Sequence, residues 1–367
     1  MSAIKVQHAI TSDDGGWGRK LSPYRQPHTL RGLGEVAVTA IPFAALWFAI
    51  ALSIHFGLFW LYALLVFPAA GLLVRLFMIQ HDCGHDSFFP SRLGNAWVGR
   101  AISILTLMPY DQWRRSHAIH HATSGNLDRR GIGDVTTLTV AEYLARPFWG
   151  RLGYRLYRNP AVMFGLGPVW LFILQSRLPV GFMRRGWKPW ASVMGTNVGI
   201  ATAAGLMIWA IGIWPFLMIH LPILLLGAAA GVWLFYVQHQ FEETHWSPDD
   251  GWTIQDAALQ GSSHYDLPWV LRWFTANIGV HHVHHLASRI PSYRLPEVLK
   301  DFPELRKRGR LTLRQSLGCV RLVLWDEEAR RLISFADLRE NNRSRPVSGQ
   351  DHSGSTSMRA TKLRVIK

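Results

Sequence analysis

Two long blocks of the chain carry no formal charge. No Asp, Glu, Lys or Arg occurs from Val36 to Val74, and none from Ala191 to His239. A bilayer core takes about 20 helical residues per crossing, so each block has room for two spans and a tight turn. The first pair is expected near 37–55 and 59–79, turning around Phe56–Leu58. The second is expected near 192–213 and 216–238, with the turn in "IWPF" around Pro215. The pattern predicts an all-α integral membrane protein built on two helical hairpins.

Two further apolar stretches fall short of this standard. "NAWVGRAISILTLMPY" (95–110) is interrupted by Arg100 and reads as an interfacial helix. "NPAVMFGLGPVWLFILQS" (159–176) is charge-free, but it contains Gly165, Gly167 and Pro168. A crossing there would also put Arg177, Arg184, Arg185 and Lys188 on the wrong side for the positive-inside rule. It is read as interfacial or re-entrant. Four spans leave both termini and the central segment on one side. That side carries the Arg and Lys and is therefore expected to be cytoplasmic. The expected organisation is an N-terminal segment (1–35), a membrane domain (36–336) and a basic, disordered tail (337–367).

Composition changes the picture in two ways. The chain has 39 Lys and Arg against 24 Asp and Glu, for a net charge of +15, all of it outside the apolar blocks. Basic residues flanking spans suit a membrane surface or an acidic protein partner better than nucleic acid. The two cysteines, Cys83 and Cys319, make no disulfide framework and no Cys-rich zinc site. No signal peptide is read at the polar N-terminus.

The 17 histidines are the chemical signal. "HDCGH" (81–85) follows the first hairpin, "HAIHH" (117–121) comes next, and "HHVHH" (281–285) follows the second hairpin. His81 and His85 are spaced i, i+4, which is one face of a helix. His117, His120 and His121 share a face, as do His281, His284 and His285. His282 points away, as a bystander. His239 ends the second hairpin and is expected to join the boxes as a ninth ligand. Eight imidazoles without a paired carboxylate exceed what one tetrahedral ion takes and point to a dinuclear site, a histidine-rich di-metal cap on the cytoplasmic side. His55 and His220 lie within spans, and His8, His28 and His352 in polar termini. His245 and His264 are read as surface groups or groups behind the ligands. Asp82, Asp86, Asp128, Asp134, Glu242 and Asp266 are candidate partners for the outer ring nitrogens. Asn277, four residues before His281, is a weaker candidate.

"HDCGHDSFF", "HAIHHATSGNLDRRGIGD" and "HHVHHLASRIPSYRLP" resemble the three histidine boxes of integral-membrane fatty acid desaturases. The similarity is closest to bacterial acyl-lipid desaturases of the Δ5 and Δ12 (omega-6) type, and runs from about residue 35 to about 336. The resemblance implies a non-haem di-iron enzyme of a bacterial cytoplasmic membrane. Its ligands would be His81, His85, His117, His120, His121, His281, His284 and His285, with His239 at the position of an extra family ligand. The stearoyl-type relatives carry an Asn near the metals; Phe235 stands at the corresponding place here. The implied reaction is O2-dependent desaturation of a membrane-lipid acyl chain, fed by a ferredoxin- or flavodoxin-type donor. Hydroxylation or ketolation on the same scaffold, and a non-enzymatic metal-binding membrane protein, are the rival readings.

Overall fold

The computed structural model describes residues 16–344. Helix α1 (Thr29–His55) and helix α2 (Phe59–Gly84) form the first hairpin, and Gly57, at φ 70°, makes the turn between them. Helices α3 (Arg92–Thr106) and α4 (Tyr110–Thr123) follow. Helices α5 (Trp187–Ile211) and α6 (Ile213–His239) form the second hairpin. Of these, α1, α2, α5 and α6 are long and apolar enough to cross a membrane.

The second turn corrects the sequence reading. The break falls at Gly212, whose φ of 85° suits glycine, rather than around Pro215. Pro215 lies in the first turn of α6, where its missing N–H would have had no helical partner.

Helix α2 is the central one. Its Leu72, Leu73, Leu76 and Ile79 pack against Phe43 and Ile50 of α1 and against Ile219, Ile223 and Leu224 of α6. In its most apolar stretch 56% is buried, against 6% for α5, which leaves α5 facing outward. Arg75 of α2 is buried and paired. It donates to Glu35 at 2.5 Å, to Thr39 Oγ1 at 3.1 Å and to the Trp273 carbonyl. Both α2 and α6 end in histidines, so both hairpins deliver candidate ligands at one end of the bundle.

Helix α3 leaves Leu93, Trp97 and Leu105 exposed while Ile102 joins the core, and at 15 residues it is too short to cross. The charge-free stretch 159–176 forms two π-helical runs, Val162–Leu166 and Val169–Leu174, with Leu166, Trp170 and Leu174 exposed. It is a short apolar helix outside the set long enough to cross.

The cap over the helix ends is not purely α. Leu138–Thr139, Leu324–Asp326 and Arg331–Ile333 form a small sheet, and His264–Asp266 pairs in parallel with Arg310–Thr312. The buried Arg158 ties this cap together. Its guanidinium donates to Thr136 O, Thr137 Oγ1, Tyr236 OH, Gln240 Oε1 and Leu322 O. Two expected boundaries shift. Leu21 is fully buried and Trp17 packs edge-on to Phe302, so the N-terminal segment belongs to the cap from Trp17 onward. Phe335–Ser344 is helical, with Leu338 buried beside Tyr143 and Tyr154, so the ordered fold reaches past residue 336. His8 and His352 lie outside the described residues.

Candidate metal centre

Four helices supply the nine histidines. His81 lies in the last turn of α2 and His85 caps that helix. His117, His120 and His121 lie on α4. His281, His284 and His285 lie on a short helix, α7 (His281–Leu286). His239 ends α6.

The structure sorts these nine residues into two sets. His81, His85, His117, His121 and His284 form the first, and His120, His239, His281 and His285 the second. Within each set the candidate ligand nitrogens lie within 4.8 Å of one another. The sets adjoin: the His121 ring stacks on the His285 ring at 4.1 Å.

In each set at least one outer ring nitrogen is engaged and Nε2 atoms are turned toward one another, as metal ligands would be. His120 Nδ1 lies 2.6 Å from Asp134 Oδ1, and His239 Nδ1 lies 3.3 Å from the Gly261 carbonyl. Both Nδ1 atoms therefore carry the proton in the neutral rings, leaving Nε2 as a lone pair. Yet the two Nε2 atoms sit 3.1 Å apart. In the first set His81 Nδ1 lies 3.1 Å from Asp82 Oδ1, and its Nε2 lies 3.0 Å from His117 Nε2. Two lone pairs at such distances repel unless a proton or a metal ion lies between them. His85 Nε2 is buried with no hydrogen-bond partner, as a ligand atom would be.

The spacing also bears on coordination geometry. Imidazole nitrogens about 2.1 Å from an ion lie about 3.0 Å apart along an octahedral edge and about 3.4 Å apart in a tetrahedron. The neighbouring Nε2 pairs are 3.0–3.1 Å apart. With five donors in one set, the arrangement fits ions of higher coordination number than structural zinc.

Burial, reinforced by the neighbouring imidazoles, holds His85, His117, His121, His281, His284 and His285 well below the ordinary histidine range. These six rings are neutral at pH 7, the form in which imidazole binds metal. Trp113, one turn before His117, stacks on that ring at 4.5 Å. Phe235 lies 5.1 Å from His120 and 5.3 Å from His239 between ring centroids, putting an apolar ring beside the second set.

Only two of the six candidate carboxylates reach a box histidine. Asp82 meets His81, and its Oδ2 accepts from the Ser292 N–H at 2.7 Å; Asp134 meets His120. Asp86 pairs with Arg114, Asp266 with Arg310, and Asp128 accepts from the Asp249 N–H, while Glu242 lines a solvent-facing cleft. Asn277 is corrected too. It precedes the start of α7, has φ 59°, and donates to Ser292 O at 3.4 Å instead of sharing a face with His281.

His282 is turned away from both sets and bonds the Leu305 carbonyl at 2.9 Å. His264 is buried against Arg306 O, and His245 meets Ser247 and Arg330. Cys83 and Cys319 are buried free thiols, as a packing role predicts. The sequence reading missed Trp113, although its i, i+4 spacing from His117 was a legible signal. It also missed the Gly261 carbonyl, which no local pattern marks.

Comparison with known proteins places this geometry in a family. Residues 60–316 match the family model described as "Fatty acid desaturase". A Bacillus subtilis protein named fatty acid desaturase is 43% identical over 317 residues, covering 86% of this chain and 89% of its own length. An sn-1 acyl-lipid omega-3 desaturase (ferredoxin) of Synechocystis is 29% identical over 287 residues, 74% of each chain. An sn-1 oleoyl-lipid 12-desaturase of Synechocystis is 29% identical over 233 residues, covering 61% of this chain and 63% of that protein.

Proposed function

The chain belongs to the fatty acid desaturase family and is an enzyme; from that premise we propose that it inserts a cis double bond into acyl chains of membrane lipids, using O2 and two iron ions. The observation that carries this reading is the division of nine histidines into adjoining sets of five and four. The relatives named as acyl-lipid and oleoyl-lipid desaturases support a lipid-linked substrate, and the one named for ferredoxin supports a ferredoxin-type donor.

An unactivated methylene has no acidic proton, so bound iron supplies the O2-dependent removal of hydrogen that side-chain acids and bases cannot perform. Each turnover consumes one O2, two electrons and two protons, and yields one double bond and two waters. The protein's share is placement. His81, His85, His117, His121 and His284 would hold one ion, and His120, His239, His281 and His285 the other. Asp82 and Asp134 accept the outer N–H groups of His81 and His120, fixing ring orientation and raising ligand basicity. Trp113 and Phe235 wall the site with apolar rings. α2 and α6 end at the ligands, so an acyl chain lying in the bilayer and a water-soluble donor meet at one level. In this reading the catalytic domain takes in the cap residues from Trp17 and the helix Phe335–Ser344, in a bacterial cytoplasmic membrane, with the termini and metal site cytoplasmic.

The test is expression in a host lacking polyunsaturated acyl chains, with a ferredoxin reducing system supplied and His284→Ala as control. Mass spectrometry should find lipid acyl chains two hydrogens lighter, absent from the control. Products one oxygen heavier would replace desaturation by hydroxylation, and no product in the presence of bound iron would overturn the assigned substrate.

A further inference from the structure

The two buried histidines left over from the metal sets share an unexpected task. His282 Nε2 donates to the Leu305 carbonyl at 2.9 Å, and His264 Nδ1 donates to the Arg306 carbonyl at 2.7 Å. Their rings lie 5.6 Å apart. The backbone N–H of His264 also donates to the Gly309 carbonyl at 2.8 Å. Gly309 is needed at that turn: its φ is 53°, and a Cβ there would lie 3.1 Å from the Ser262 carbonyl. One surface turn, Leu305–Arg310, is thus fastened at three successive points to the back of the third histidine box.

This turn reads "LRKRGR", four cations in six residues. Arg310 is paired with Asp266, and Arg306 bonds the Leu299 carbonyl. The side chains of Lys307 and Arg308 are exposed and make no hydrogen bond or ion pair among the described residues. Glu304 is the acidic residue flanking the turn. Both fastenings lead to the second histidine set. His282 is covalently next to His281, and His264 follows Ser263, whose N–H donates to Gln238 O beside His239.

We propose that the turn Leu305–Arg310 is the docking surface for an acidic, soluble one-electron carrier, and that His282 and His264 form the bonded route from it to the second set. The proposal rests on the desaturase reading above, which requires two electrons per turnover. Each carrier gives up one electron and leaves oxidised, and two deliveries complete one reaction. Positive charge at the turn raises the encounter rate with an acidic carrier. The two ring-to-carbonyl bonds give a rigid, dry path inward.

The probe is a reduced [2Fe–2S] ferredoxin of acidic surface, mixed anaerobically with the iron-loaded enzyme in lipid nanodiscs. Lys307→Glu/Arg308→Glu should lower the second-order rate of ferredoxin oxidation about tenfold at low salt and flatten its salt dependence. Arg184→Glu/Arg185→Glu, exposed cations elsewhere, should leave that rate within about twofold of wild type. Wild-type rates in the first pair, or equal losses in both, would overturn the docking site. His282→Gln should leave the ferredoxin concentration dependence alone and slow the limiting transfer rate per bound iron; an unchanged limiting rate would remove the route. Ferredoxin oxidation without unsaturated product would sink the desaturase reading and leave docking standing. Desaturation with ferredoxin kinetics indifferent to the turn would do the reverse.

Discussion

Asp134 offers the sharpest test of how the two histidine sets differ. Its Oδ1 lies 2.6 Å from His120 Nδ1, and its Oδ2 accepts from the Gly131 N–H at 3.3 Å. Both side chains of the pair are buried, 1% and 8% exposed, so water does not readily replace the carboxylate. In Asp134→Ala, the His120 ring loses its orienting acceptor, and its proton is free to sit on either nitrogen. Losing such a partner costs about 10–100-fold in metal affinity, or about 1.4–2.7 kcal/mol. His120 is one of four donors in its set, whereas the other set has five and keeps its own Asp82 contact. The expected result is selective emptying. Across a chelator series, Asp134→Ala should lose half its iron at a concentration 10–100 times lower than wild type, about in step with the affinity lost, and then hold a plateau at half the wild-type content. Asp134→Asn, which keeps an amide oxygen acceptor without the charge, should fall between. Metal analysis by atomic emission reads this directly. A wild-type chelator midpoint in Asp134→Ala, or simultaneous loss of all iron, would refute the reasoning.

Other parts of the structure make further predictions. A Cβ on Gly84 would lie 2.7 Å from the Trp113 ring, which stacks on His117; Gly84→Ala should cost about 1–3 kcal/mol by overpacking and lower iron retention in the five-histidine set, read by thermal unfolding and metal analysis. Arg158→Met removes the five hydrogen bonds of a buried guanidinium, to Thr136, Thr137, Tyr236, Gln240 and Leu322; it should destabilise by about 3 kcal/mol or more, and Arg158→Lys should not restore stability, because an ammonium lacks the planar fork. Both are checked by melting in detergent. Burial holds His264 below the ordinary histidine range. Below about pH 6.5 the unfolded chain therefore binds a proton that the folded one refuses, so stability present above that pH is lost as pH falls. His264→Gln should flatten the decline of the melting temperature between about pH 6.5 and 5, and an unaltered slope would count against the assignment.

The sequence by itself determined the local features. Charge-free blocks of sufficient length marked four crossing helices, and i, i+3, i+4 spacing marked three histidine faces and set His282 apart, because helical period depends only on neighbours in the chain. The same limit explains what it left open. It placed the second turn at Pro215, where Gly212 makes it, since the positive φ at Gly212 follows from how α5 and α6 close on each other. It offered six carboxylates, of which only Asp82 and Asp134 reach the boxes, because each contact depends on elements packed from other parts of the chain. Above all, it could not divide the candidate ligands. His120 and His121 are adjacent in sequence yet belong to different sets, and so do His284 and His285. Neighbouring residues on a helix point about 100° apart, and only the packing of α2, α4, α6 and α7 decides which of those directions converge.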